Sequence, residues 1–321
     1  MREARFVIRN RAMSTRILSA LVLALVATAS ASSVSAQRRA NGQRGRLPTV
    51  RVLERGAEPR EPLRYRIAQN ATSPVDMRME MTVRMTVSGR EMPAVPMPAM
   101  VGRMTLRATS VGADGTVHYG FTLDSFAPAP GYTGPAQVLT AVRSALASLV
   151  GTTGTGAMTN RGFVLDTQVN LPANADAGAR QAIDSLRDSL RQLAAPLPAE
   201  PVGRGARWQV TMPIDAGGMS MQQVATYTLE SVQGDRGHLQ VRLTQSARPQ
   251  ALHTPGLPAG ATARLESLSG TGSATQEMDL TRLIAPTHTH VVSDTATTVS
   301  AGAQSQRMET HLEADATFTP R

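Results

Sequence analysis

Between Val75 and Ser88 the chain alternates apolar and polar residues without a break for 14 positions. Val75, Met77, Met79, Met81, Val83, Met85 and Val87 hold one parity; Asp76, Arg78, Glu80, Thr82, Arg84, Thr86 and Ser88 hold the other. Successive side chains of a strand point to opposite faces, so this run buries one face and wets the other. A helix would scatter the same methionines around its circumference. So long a half-buried strand needs long partners, and the following sequence offers them. After the Pro-rich Met92–Pro98, Met104, Leu106 and Ala108 share one face of a second strand over Met100–Val111. Gly112-Ala-Asp-Gly115 reads as a turn, and Val117, Tyr119, Phe121 and Leu123 alternate beyond it, which predicts antiparallel pairing.

The middle of the chain changes period. Leu139, Val142, Leu146 and Leu149 are spaced for an amphipathic helix after Pro135. Ile183, Leu186, Leu190 and Leu193 repeat the spacing in a second, opened by Asn174 or Asp176 and stopped by Pro196. Gly151–Gly156 reads as a flexible turn and Arg161–Leu165 as another strand. From Pro198 the β pattern returns, with Met221, Ala225, Tyr227 and Leu229 leading into Gly234-Asp-Arg-Gly237, and Leu239, Val241 and Leu243 leading out. The last 60 residues are rich in Thr, Ser and Ala, and their strand ends are not defined by pattern. The expected fold is α+β: a long curved antiparallel sheet in two blocks, with two amphipathic helices packed on one face. Its segments are residues 1–36, a flexible leader at 37–60, a β segment with the central helices at 61–200, and a C-terminal antiparallel β segment at 201–321.

Charge is concentrated at the N-terminus. The formal net charge is +9, yet nine of the 33 basic residues and one of the 24 acidic ones lie in 1–46, leaving 24 against 23 beyond. A folded part so close to neutral lacks the excess positive charge that nucleic acid needs, so no nucleic-acid partner is expected. Arg2, Arg5, Arg9, Arg11 and Arg16 precede the apolar run Ile17–Ala31, which closes in Val34-Ser35-Ala36. That order reads as a secretory signal peptide cleaved before Gln37, with Met13 an equally serviceable start. The run is shorter than the ~20 residues a membrane-spanning helix needs. The expected location is therefore periplasmic or extracellular, without an integral membrane segment.

Composition removes several chemistries. There is no lysine, hence no Schiff-base lysine, Walker A loop or Ser-x-x-Lys nucleophile. The absence of cysteine removes thiol catalysis, cysteine zinc sites and disulfides. One Trp, four Tyr and five Phe are too few for the aromatic girdles of an outer-membrane barrel. No Gly-x-Ser-x-Gly or His-Glu-x-x-His run occurs, and the expectation is a non-enzymatic protein with no catalytic residues and no cofactor.

Leu197-Pro-Ala-Glu-Pro-Val-Gly-Arg-Gly-Ala-Arg-Trp208, followed by Tyr227-Thr-Leu229 and by Gly270-Thr-Gly272-Ser-Ala-Thr-Gln-Glu-Met-Asp279, resembles a group of uncharacterised exported β-rich bacterial proteins. In these a Leu-Pro…Pro-Val-Gly-x-Gly-x-x-Trp stretch opens the C-terminal β segment. The resemblance covers about the last 125 residues and implies an exported β-rich protein, with no catalytic residue or ligand attached. Trp208 is expected to anchor that segment by its buried area.

Eight of the 16 methionines fall between Met77 and Met104. Thioethers are soft ligands for Cu(I), but same-face neighbours on a strand are about 6.5–7 Å apart and do not converge on one ion. Core filling is the plain reading of the cluster. An adaptable apolar groove is the functional one, because methionine is flexible and polarizable. The groove would be lined by Met77, Met79, Met81, Met85 and Met104. His288-Thr-His290 sets two imidazoles on one face, with His311 and Asp294 available, but spacing places no third ligand and no metal is assigned. The leading expectation is an exported protein binding an apolar or lipid-like molecule, or an envelope protein partner. The alternative is a structural or assembly protein of the envelope with no ligand cavity.

Overall fold

A computed structural model describes residues 48–321 except 95, 173–193, 217–218, 253–256 and 258–259. In chain order its elements are β1 (Thr49–Glu54), β2 (Thr72–Val87), β3 (Arg90–Glu91), β4 (Met100–Val111), β5 (Val117–Pro128), α1 (Ala136–Ala147), β6 (Thr153–Met158) and β7 (Val164–Asn170). There follow β8 (Arg207–Ala216), β9 (Met219–Gln233), β10 (Arg236–Ala247), β11 (Gln250–Leu252), β12 (Ala261–Asp279), β13 (Thr287–Ala301) and β14 (Gln304–Pro320).

All the strands join one sheet in the order β1-β8-β9-β10-β12-β13-β14-β2-β4-β5-β6-β7, with β3 beside β2 and β11 beside β12. The pairings are antiparallel throughout, from β1 with β8 to β6 with β7. Tight turns make the hairpins. Ser88 and Gly89 both take positive φ (48° and 79°) between β2 and β3, the twist that a two-residue hairpin favours. Between β4 and β5 Gly115 sits at φ 77°, and the Asp114 carboxylate accepts the Thr116 N–H at 2.9 Å.

The β2 alternation survives in three dimensions. Val75 is fully buried, Met77, Met79, Met81 and Met85 are half-buried, and Arg78, Glu80, Thr82 and Arg84 are exposed. Cross-strand pairing carries that apolar face outward on both sides. Met104 lies opposite Val75, Leu123 opposite Met104, Ala316 opposite Met79 and Thr289 opposite Ala316. The core gathers on this face, around Leu106, Tyr119, Phe121, Trp208, Leu229 and Leu239. The extended segment 61–67 crosses one end of it: the Tyr65 N–H donates to the Asn160 carbonyl at 2.7 Å and the Arg66 N–H to that of Leu280 at 2.7 Å.

The α+β expectation is corrected here: the fold is almost entirely β. α1 is the single helix among the described residues, with Val142 and Leu146 buried. The second expected helix, Ile183–Leu193, lies outside the described residues. Two segments read as irregular are strands. Thr49–Glu54, inside the supposed leader, pairs with β8. Gly154 and Gly156, inside the supposed turn, belong to β6, where they face Phe121 and Tyr119 of β5. A Cβ at either glycine would run into the facing aromatic ring, so the rings supply the apolar surface that the glycines lack. The two expected sheet blocks are also one, because β14 pairs with β2 over Met308–Pro320 and Val75–Val87. No helix among the described residues is long and apolar enough to cross a membrane.

Candidate functional site

Among the described residues, the single helix α1 is too small to cover a sheet of this width, and they leave part of the apolar face uncovered. A cavity of about 490 Å³ occupies it, bordered by side chains from β2, β4, β5, β8, β9, β10, β12, β13 and β14. Nine strands can border one such space only if the sheet curls around it. The cavity is therefore on the concave side. Its volume falls within the roughly 300–1,000 Å³ typical of small-molecule sites.

Three of the five expected ligand-binding methionines meet there: Met77 and Met79 from β2, and Met104 from β4. Met81 and Met85 keep the same parity, opposite Ala314 and Thr310 of β14, but do not border the cavity. The reason is length. Met77 and Met85 are eight residues apart, about 26 Å along an extended strand, and the cavity spans only part of that. Parity marked the correct face and could not mark where along it the cavity ends.

The remaining walls come from elements far apart in sequence. Phe121, Leu123 and Phe126 of β5 close one side, Phe318 of β14 lies next to Met77, and Ile284 and Pro196 come from connecting segments. Tyr227 of β9 lines the opposite wall and stacks on Trp208, with ring centroids 5.4 Å apart and planes 3° from parallel. Trp208 is fully buried, and its indole N–H donates to the Pro196 carbonyl at 2.9 Å. Thus the Trp208 anchor is also the wall behind the cavity. Burial raises the Tyr227 phenol above its ordinary pKa, which keeps it neutral.

No charged side chain borders the cavity among the described residues, and its polar groups are Gln223, Gln276, Thr287, Thr289 and the Tyr227 hydroxyl. The Gln245 amide donates to the Gln223 carbonyl oxygen at 2.9 Å, and the Thr287 hydroxyl donates to the Ala285 carbonyl at 3.0 Å. None of these residues was expected as a site from sequence. The available signal was faint: Gln276 sits at an inward position between Ala274 and Met278. A second depression, near 780 Å³, is larger but more open, and its rim carries Arg204, Arg236, Arg282 and Asp279. Asp279 is already engaged by Thr281 and by both Arg236 and Arg282.

The histidines lie on the other face of the sheet. His290 Nδ1 is 3.1 Å from Asp315 Oδ1, and His288 Nδ1 is 3.1 Å from the Thr317 hydroxyl. Ligand atoms of His290, Glu313 and Asp315 lie within 4.8 Å of one another, all half-exposed. His311 and Asp294, the partners that the sequence left available, pair with each other at 2.8 Å. The cross-strand pairs of β13 and β14 account for this arrangement without an ion.

Residues 180–282 match a family described only as a family of unknown function (DUF6263), and the matched stretch includes Leu197–Trp208. No functionally curated protein matches the chain. Among solved structures, Pseudomonas aeruginosa OpdQ is similar over 78% of this chain and 98% of its own, at 9% identity and a TM-score of 0.22, a likeness too distant to inform fold or function.

Proposed function

We propose that this is an exported, non-enzymatic protein that carries an apolar or lipid-like molecule in the concave cavity. The observation that supports it is the cavity itself: about 490 Å³ of space walled by Met, Phe, Leu and Val, with no charge in its lining among the described residues. A folded core normally closes such a space, because unfilled volume forfeits packing. Keeping it open is reasonable where something else fills it. Flexible methionine side chains on one wall suit an occupant of variable shape.

The polarity of the two faces supports a water-soluble carrier over a membrane barrel. Arg78, Glu80, Arg84, Arg103, Arg107, Arg307 and Glu309 all take the parity opposite the cavity and are exposed. A membrane barrel carries its apolar band on the outer face. With the signal-like residues 1–36, this gives a periplasmic or extracellular carrier whose N-terminus is Gln37.

Titration of the purified protein with an uncharged fluorescent naphthylamine probe is the test. Saturable binding at micromolar concentration or tighter is expected, weakened at least tenfold by Ala316→Phe, which fills the cavity from β14. An unchanged melting temperature would show that the variant still folds. Absence of saturable binding by the parent protein would leave a structural role without a ligand.

A further inference from the structure

We propose that the cavity selects amphiphiles with an uncharged, hydrogen-bonding head, and that the Gln276 side-chain amide is the group that receives that head. The proposal rests on the carrier reading above and adds the ligand's chemical class.

Gln276 lies on β12 between Leu239 of β10 and Thr287 of β13, at a position where the sheet's inward side chains are otherwise mostly apolar. It is only 7% exposed, it borders the cavity, and its amide has no hydrogen-bond partner among the described residues. Buried side-chain amides are nearly always paired. The other buried glutamine of the cavity, Gln223, obeys that rule through Gln245. Gln276 is thus a buried side chain at the edge of the cavity, in a mostly apolar wall, whose amide finds no partner among the described residues. An occupant with a polar group there would hydrogen-bond that amide, whereas a purely apolar occupant would bury it without a partner.

The rest of the lining decides the charge of that group. An ionised carboxylate or phosphate would have to shed its water in a cavity with no arginine or histidine in its wall among the described residues. An amide offers an N–H pair and a carbonyl oxygen, which match an alcohol, an ester or an amide without any charge to neutralise. Thr289 borders the cavity two residues along β13 from Thr287 and adds a hydroxyl to the same wall. Neutral heads such as those of acylglycerols, fatty alcohols and fatty esters therefore fit, and ionised fatty acids and phospholipids do not.

The experiment displaces a bound naphthylamine probe from the purified protein at pH 8 with monooleoylglycerol, oleyl alcohol or oleate, all below their aggregation limits. The neutral compounds should displace the probe at concentrations about tenfold lower than oleate. Gln276→Leu should remove that preference, so that the neutral compounds need the same concentrations as oleate to displace the probe. The same variant, without ligand, should melt at a higher temperature than the parent, because it replaces an unpaired buried amide with an apolar group of similar size. Equal displacement by neutral and ionised compounds would overturn the proposal while leaving the carrier reading intact. So would a lower melting temperature for Gln276→Leu, which would mean that the amide is structurally paired. Failure of the parent to bind the probe at all would overturn both.

Discussion

Among the inward-facing side chains, those that hold the fold and those that hold open the cavity differ in what touches them. Leu106 is 2% exposed and packed within the core cluster, whereas Met79 has the cavity on one side. Removing a side chain from full packing leaves a new void, and removing one that already borders a void only enlarges it. Leu106→Ala should accordingly cost about 2–5 kcal/mol in urea unfolding, and Met79→Ala no more than about 1.5 kcal/mol. Equal large losses for the two would place Met79 in an ordinary core and argue against the cavity. The sequence made Met79 visible as an inward residue through its parity. It could not separate Met79 from Met81, because cavity and core present the same alternation to a reader of one strand. Gln276 was hidden for another reason. A glutamine at an inward position in a Thr- and Ser-rich strand resembles a register irregularity until its neighbours Leu239 and Thr287 are known.

At the level of elements, legibility followed which side chains supply the apolar surface. β2, β4 and β5 carry their own, in Val75, Met104, Leu106, Phe121 and Leu123, and their alternation reads directly. β6 borrows its surface from β5, so its glycines read as a turn. β1 turns only Val50 and Val52 toward the core in an Arg- and Pro-rich setting, with Leu53 exposed, and its strand character comes from β8. β12, β13 and β14 are the long Thr-, Ser- and Ala-rich strands, and their small inward residues leave room beside the methionine wall. The borrowed surface of β6 can be tested. Gly154→Val would drive a side chain into the Phe121 ring and the Gln168 carbonyl. It should cost about 1–3 kcal/mol and speed hydrogen exchange in β6 and β7 ahead of the rest of the sheet. A variant as stable as the parent would show that β6 packs differently from this register.

For the whole molecule, the seam between β14 and β2 governs how the chain folds. The last strand lies inside the sheet, flanked by β13 and by a strand from the beginning of the described chain, and not at an edge. Thirteen residues of each strand pair across that seam, from Met308 with Val87 to Pro320 with Val75. Cutting the chain near residue 200 would therefore leave β2 and β14 as long open edges, each with a row of unpaired backbone groups and a half-apolar face. It would also divide the core, since Tyr65 on one side of the cut and Trp208 on the other belong to a single cluster. Closing a contact between residues so distant in sequence is entropically costly, and only the complete sheet offsets it. The full chain is expected to unfold in one cooperative transition by calorimetry. Fragments 37–200 and 201–321 should each lack cooperative melting alone, and should regain strand circular dichroism and a melting transition when mixed. A fragment that melts cooperatively by itself would show that the two halves are independent domains that merely share a sheet edge, and the concave cavity would then be an interface between them.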